Sequence, residues 1–153
     1  MVHPGHGGCT IQKIEKREFG GSSSLYFIMI PKGDPQTTIL APVDNVEKIG
    51  FRGLISVTEA DRILSLFSTQ KSDRNTDSKQ RQQAYGETMK SGELEDMAKM
   101  IHELLVQNKM AVLSNFEKEI LPKAQKKLFS EIALVKDMEI HSLISLVDHM
   151  IVV

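Results

Sequence analysis

Apolar positions change their spacing partway along the chain. In the first third they come in short runs bounded by glycine and proline. Cys9, Ile11 and Ile14 stand among polar neighbours. The step from 11 to 14 breaks strict alternation, so a bulge near Gln12-Lys13 is expected to restore it. Phe19-Gly20-Gly21-Ser22-Ser23-Ser24 reads as a hairpin loop. Residues 25–30, with Tyr26, Phe27, Ile28 and Ile30, form a continuous apolar run that suits a strand covered on both faces. Lys32-Gly33-Asp34-Pro35 is a second turn, and residues 37–41 are a third strand closed by Pro42. Residues 1–53 therefore predict three or four short strands in a small curled sheet, SH3-like or Tudor-like.

From Ser56 the period becomes helical. Ser56-Val57-Thr58-Glu59 has the pattern of a capping box, and Ala60, Ile63, Leu64 and Phe67 follow at helix spacing. Residues 70–83 are almost wholly polar and read as a linker or mobile segment, with a turn to helix by Gln80 as the alternative. Ser91-Gly92 punctuates the chain, and Leu94, Met97, Ile101, Leu104 and Leu105 make an amphipathic stripe. Ser114-Asn115-Phe116-Glu117 is a second capping box, opening a stripe of Ile120, Leu121, Ala124, Leu128 and Ile132. Pro122 falls inside that stripe and predicts a kink or a late start. Ile140, Leu143, Ile144 and Val147 mark a last helix. Residues 54–153 thus predict a bundle of four or five helices, and the whole chain an α+β protein.

Composition narrows the function classes. The chain has 153 residues, 25% charged, with a formal net charge of -1, so bulk electrostatics will not hold it to nucleic acid. Its single cysteine, Cys9, excludes an intrachain disulfide and fits a reducing compartment. No run approaches the roughly 20 apolar residues of a membrane span, and no leader pattern opens the chain, so a cytoplasmic protein is expected. There is no phosphate-binding Gly-x-x-x-x-Gly-Lys-Ser/Thr loop and no Gly-x-Ser-x-Gly elbow, so no enzyme class is indicated. His3, His6 and Cys9 have a spacing compatible with zinc, but a tetrahedral site needs a fourth ligand and none offers itself. The three read instead as a glycine-rich turn between strands, with Cys9 an inert core thiol. No metal or cofactor is expected. His102, His141 and His149 are read as surface or boundary residues on different helices, and Glu93, Glu95 and Asp96 as acids complementing a helix N-terminus.

Basic residues cluster in two places. Lys118, Lys123, Lys126 and Lys127 crowd one helix, with the last three on one face. Lys79, Arg81 and Lys90 precede the bundle. Each group reads either as a solvated face or as a nucleic-acid footprint.

Several short signatures carry a likeness. They are Val2-His3-Pro4-Gly5-His6-Gly7, Ala41-Pro42-Val43-Asp44-Asn45 and Gly50-Phe51-Arg52-Gly53-Leu54-Ile55-Ser56 in the first half. Ser91-Gly92-Glu93, Leu113-Ser114 with Glu117-Lys118, and Ser130-Glu131-Ile132-Ala133-Leu134 follow in the second. In order and spacing the chain resembles the CarD family of bacterial transcription regulators. That resemblance implies a Tudor-like domain, residues 1–53, that docks on the β subunit of RNA polymerase by pairing a strand edge with the partner. Carried over by position, the edge is Thr38, Ile39, Leu40 and Ala41, with Arg17 and Phe19 on the neighbouring strand. Residues 1–53 alone are expected to suffice for docking.

The resemblance also implies that the helical half touches promoter DNA at the upstream edge of the bubble. Arg81 and Lys118 match basic family positions, and a basic surface joining Lys79, Arg81, Lys118 and Lys123 is the expected DNA-facing set. The family's Trp wedge is replaced here by Ser78, Gln83 stands at an often basic position, and the usual Phe-x-x-Gly-Asp lead before the first Val is absent. A Ser cannot unstack a base step, so the DNA contact is expected to be weak and mainly to phosphates. The alternative is a polymerase-binding adaptor whose helical half binds another protein.

Overall fold

The computed structural model describes residues 1–71 and 76–152. Strands β1 (Val2–His3), β2 (Gly7–Phe19), β3 (Ser22–Pro31) and β4 (Ile39–Pro42) form one antiparallel sheet in the order β1-β2-β3-β4. The expected bulge is present. Pairing steps from Ile11–Met29 to Lys13–Ile28, leaving Gln12 over. The hairpin loop is tighter than expected. Phe19 pairs with Ser22, so only Gly20 and Gly21 turn the chain, and the three serines belong to β3. Both glycines have positive φ, 58° and 81°, as a two-residue turn matched to strand twist requires.

The run at 25–30 is not covered on both faces. Ile28 and Met29 are buried, but Leu25 is 53% exposed. The reason is the length of β4, which pairs with β3 only from Tyr26 to Met29. The outer half of the β2–β3 hairpin therefore projects beyond the core as a two-stranded ribbon. After β4 the chain leaves the sheet. It makes a short turn (Val43–Asn45) and the one-turn helix α1 (Val46–Ile49). Phe51 then joins Cys9, Met29 and Ala41 in a small core. Arg52 exchanges two backbone hydrogen bonds with Val2, at 2.8 and 3.2 Å, which curls the sheet.

Five longer helices follow: α2 (Val57–Thr69), α3 (Ser78–Ser91), α4 (Leu94–Met110), α5 (Asn115–Lys136) and α6 (Ile140–Met150). Every residue of the predicted α2 and α5 stripes is buried. Ser114 makes the full capping box: its hydroxyl accepts from the Glu117 amide, and its own amide donates to Glu117. Ser56 makes half of one, because the Glu59 carboxylate turns to Arg62 instead. α5 continues through Pro122, which is exposed. Of the polar segment at 70–83, residues 72–75 lie outside the described residues. From Ser78 it is helix, with Asp77 accepting from the Gln80 amide. His102 is not at the surface: it is 3% exposed. His141 and His149 are exposed but share one helix, α6. Among the described residues, no helix is long and apolar enough to cross a membrane.

The two halves are locked together where β2 begins. Gly7 has φ 74°, and a Cβ there would lie 2.4 Å from the Ser130 hydroxyl. A Cβ on Gly8 would lie 2.9 Å from the Glu131 backbone. Only glycine admits α5 this close. The Gly8 amide donates to Ser130 Oγ at 2.8 Å. Glu131 is fully buried and accepts three bonds, from Arg52 Nη1 (2.8 Å), Arg52 Nη2 (2.6 Å) and the Ile55 amide (2.9 Å). The signatures around His3, Arg52 and Glu131 thus meet at one joint.

Candidate functional site

β4 is the outermost strand of the sheet, with β3 on one side and no strand on the other among the described residues. An unpaired edge of this kind is a template for a partner strand. Its pairing register decides which side chains are available. Leu40 pairs with Ile28 and is 41% exposed, whereas Ala41 is buried in the sheet's core at 1% and Ile39 packs against that core. Ala41 and Ile39 therefore offer an edge only through their backbone. Thr38 precedes the strand and is exposed. Arg17 and Phe19 do not neighbour β4. They lie on β2, with β3 between.

Register still relates them. Side chains of directly paired residues share a face and alternate along each strand. Leu40 pairs with Ile28, and on β3 the positions 28, 26, 24 and 22 alternate onto that same face. Arg17 pairs with Ser24, Glu15 with Tyr26, and Phe19 with Ser22. Arg17, Phe19 and Leu40 thus lie on one face of the projecting ribbon. Tyr26 joins them, its ring edge-on to Phe19 at 5.5 Å and 74°. Tyr26 was hidden inside the apolar run, where nothing marks one residue as outward-facing. Arg17 holds Glu15 through a 2.9 Å ion pair and keeps that carboxyl below the usual carboxylate range. Ile14 (57%) and Leu25 (53%) are exposed on the opposite face. The hairpin therefore carries exposed apolar side chains on both faces.

The basic set divides. Ser78 and Lys79 are exposed in the first turn of α3, and Lys118 is exposed in the first turn of α5. Arg81 is different. Its side chain is 14% exposed, and Nε lies 3.4 Å from Glu117, the capping carboxylate of α5. It joins the two helix starts and brings Ser78, Lys79 and Lys118 to one end of the bundle, but it is itself a half-buried structural cation. Lys123 does not belong with them. It lines a cleft with Gly5, His6, Lys126 and Lys127, beside the joint. The surface expected to join Lys79, Arg81, Lys118 and Lys123 is therefore two separate places. Helix geometry could have indicated this, since 118 and 123 fall on different faces.

His3 and Cys9 have structural work. His3 Nδ1 accepts from the amides of Gly5 (2.8 Å) and His6 (3.0 Å), which closes the N-terminal turn. Cys9 is buried, its Sγ donates to the Gly7 carbonyl at 3.4 Å, and burial pushes its thiol up. Neither is disposed as a ligand or nucleophile.

Comparison with known proteins agrees with this division into halves. Residues 1–53 match the family described as CarD-like/TRCF RID domain, and residues 62–148 match that described as CarD, C-terminal domain. A protein of Bacillus subtilis (strain 168) named "Putative transcription factor YdeB" is 27% identical over 136 residues, covering 89% of this chain and 88% of its own length. With both halves matched, in order and over most of their length, the chain belongs to the CarD-like family of transcription factors.

Proposed function

We propose that the protein is a non-enzymatic regulator that holds RNA polymerase through the free edge of β4, on the β subunit, and touches promoter DNA weakly with the α3–α5 end of its bundle. The observation that carries the first part is the open edge of β4, beside a ribbon whose Arg17, Phe19, Tyr26 and Leu40 share an outward face. Backbone pairing supplies affinity in such complexes, and the flanking side chains supply specificity. The second part is supported by Lys79 and Lys118 beside Ser78, two exposed cations and no wedge. Two phosphate contacts give a slope of log affinity against log salt of only about -1.8. Tethering to polymerase raises the effective concentration, so contacts this weak still act.

The test is binding of the full chain to isolated polymerase β subunit. Leu40→Glu places a charge at the exposed Leu40 position and should weaken docking about tenfold or more, and Leu40→Pro should do the same if the Leu40 amide faces the partner. Undiminished binding by both would remove the edge from the mechanism. Open-complex decay then tests the DNA part. Lys79→Ala with Lys118→Ala should shorten the lifetime, and Ser78→Trp should lengthen it.

A second reading has the helical half bind a protein instead. It is favoured by Met110 (65%) and Val112 (80%), exposed together between α4 and α5. Lifetimes insensitive to both lysines, with docking intact, would select it.

A further inference from the structure

The lysines that follow Pro122 on α5 turn toward the other half of the molecule. Lys126 lays its aliphatic stem over Gly33, where a Cβ would lie 2.7 Å from its Cγ. Lys127 crosses to the end of α3, its Nζ donating to the Met89 carbonyl at 3.4 Å. Two clefts adjoin there, each touching both halves. One, of about 230 Å³, lies between the N-terminal turn, Arg52, the α3–α4 junction and Lys127. The other, of about 240 Å³, lies between Gly5, His6 and the α5 lysines. Lys127 and Met89 belong to the walls of both.

Charge in these clefts is one-sided. Lys90, Lys123, Lys126 and Lys127 line them with His3 and His6, and no carboxylate does. The chain as a whole carries -1, so this surplus is local. Asp34 and Glu93 are near enough to feel Lys126 and Arg52, two acids against four lysines. Lys127 is half-buried. Burial holds its ammonium below the usual lysine range, and among the described residues no carboxylate lies within 4.0 Å of it. A partly desolvated cation with one long hydrogen bond is left with unmet donors. His3 adds a further donor: with Nδ1 accepting two amides, the neutral ring carries its proton on Nε2. Val2, Pro4, Leu94 and Met97 make the remaining wall apolar.

We propose that this junction cleft binds a small phosphate-bearing molecule, its phosphate at Lys127 between Lys90 and Lys123 and its organic body against the apolar wall. Phosphate supplies the charge and the acceptors that Lys127 lacks. Because the walls come from both halves, the ligand ties sheet to bundle. The site is separate from the β4 edge and from the Lys79–Lys118 end, so it stands or falls independently of the docking reading.

Calorimetric titration of the full chain with inorganic pyrophosphate tests it. Saturable binding at a single site is expected. Lys127→Gln should weaken it about tenfold or more. Lys123→Glu, at an exposed position that leaves folding intact, should weaken it too, while Lys118→Gln should bind as the unaltered protein does. Melting temperature should rise with pyrophosphate concentration in the unaltered chain, and Lys127→Gln should need about tenfold more ligand for the same rise. Absence of saturable binding overturns the proposal, as does affinity in the Lys127 and Lys123 variants equal to that of the unaltered protein. Sulfate binding as tightly as pyrophosphate would mean an adventitious anion only. Binding of a short DNA duplex that is lost in Lys127→Gln, with no saturable pyrophosphate binding, would make the cleft a DNA footprint and overturn it as well.

Discussion

At the scale of single residues, the Arg52–Glu131 pair is asymmetric, and that sets what each substitution costs. The Glu131 side chain is 0% exposed and the Arg52 side chain 41%. Removing Arg52 leaves a buried carboxylate uncompensated, whereas removing Glu131 leaves a guanidinium that water can reach. Arg52→Ala should therefore destabilise by about 3–5 kcal/mol, and Glu131→Ala by less, despite losing the acceptor for the Ile55 amide. Urea unfolding of the two variants checks the order; a larger loss for Glu131→Ala would show that the Ile55 bond and packing dominate. His102 makes a second prediction. Among the described residues its Nδ1 is buried without a hydrogen-bond partner, and burial holds the ring below its ordinary value of 6.5. On acidification the unfolded chain protonates first, so it binds more protons than the folded one. Stability contributed by the neutral ring is complete above about pH 6.5 and falls as pH drops below it. His3, lowered chiefly by burial and then by His6 and Lys127, adds in the same direction. His102→Gln should flatten the fall in melting temperature below pH 6.5 relative to the unaltered protein. An unchanged slope would assign the effect to other groups.

At the scale of elements, the glycine pair of the β2–β3 turn gives a clean test, because nothing lies within 4 Å of either missing Cβ. The effect of substitution there is conformational alone. Gly20→Asn should be close to neutral, since Asn tolerates left-handed backbone. Gly20→Val should cost about 1–2 kcal/mol and loosen the ribbon's tip, readable as faster amide exchange at Phe19 and Ser22. Elements were legible wherever a periodic stripe or a cap marked them, as at Ser114 and Glu117 or at the bulge beside Gln12. They were illegible where the outcome depends on a distant partner. The apolar run at 25–30 carries no sign that β4 would end opposite Tyr26 and leave Leu25 bare. Arg81 looks like any surface arginine until α5 brings Glu117 beside it. The open edge of β4 was legible by position, but the burial of Ala41 and the outward face shared by Tyr26 with Phe19 appear only once the register is known. Arg52 and Glu131 each stood in a quoted signature, and nothing in the sequence links positions 79 apart.

At the scale of the whole molecule, the joint changes what the N-terminal half can do alone. Its own core has four buried apolar residues, Cys9, Met29, Ala41 and Phe51, with Met1, Phe27, Ile39 and Val46 partly buried against them. Cutting after residue 53 would uncover Gly7 and Gly8 and strand Arg52 without its carboxylate. Small cores of this size are marginal. The fragment 1–53 should show little native structure by circular dichroism or amide dispersion, and so dock poorly even though the edge belongs to it; a well-dispersed, cooperatively melting fragment would refute this. The same tightness has a mechanical meaning. Gly7 and Gly8 leave no room for α5 to slide, and Glu131 is pinned from two directions. Sheet and bundle are then the two arms of a set square, and holding one arm fixes where the other ends. Such a body measures distance. If polymerase grips the β4 arm, the Lys79–Lys118 tip can meet the duplex at one station only. Inserting a single base pair upstream moves each backbone phosphate by about 3.4 Å along the axis and should change the regulator's effect without changing its grip.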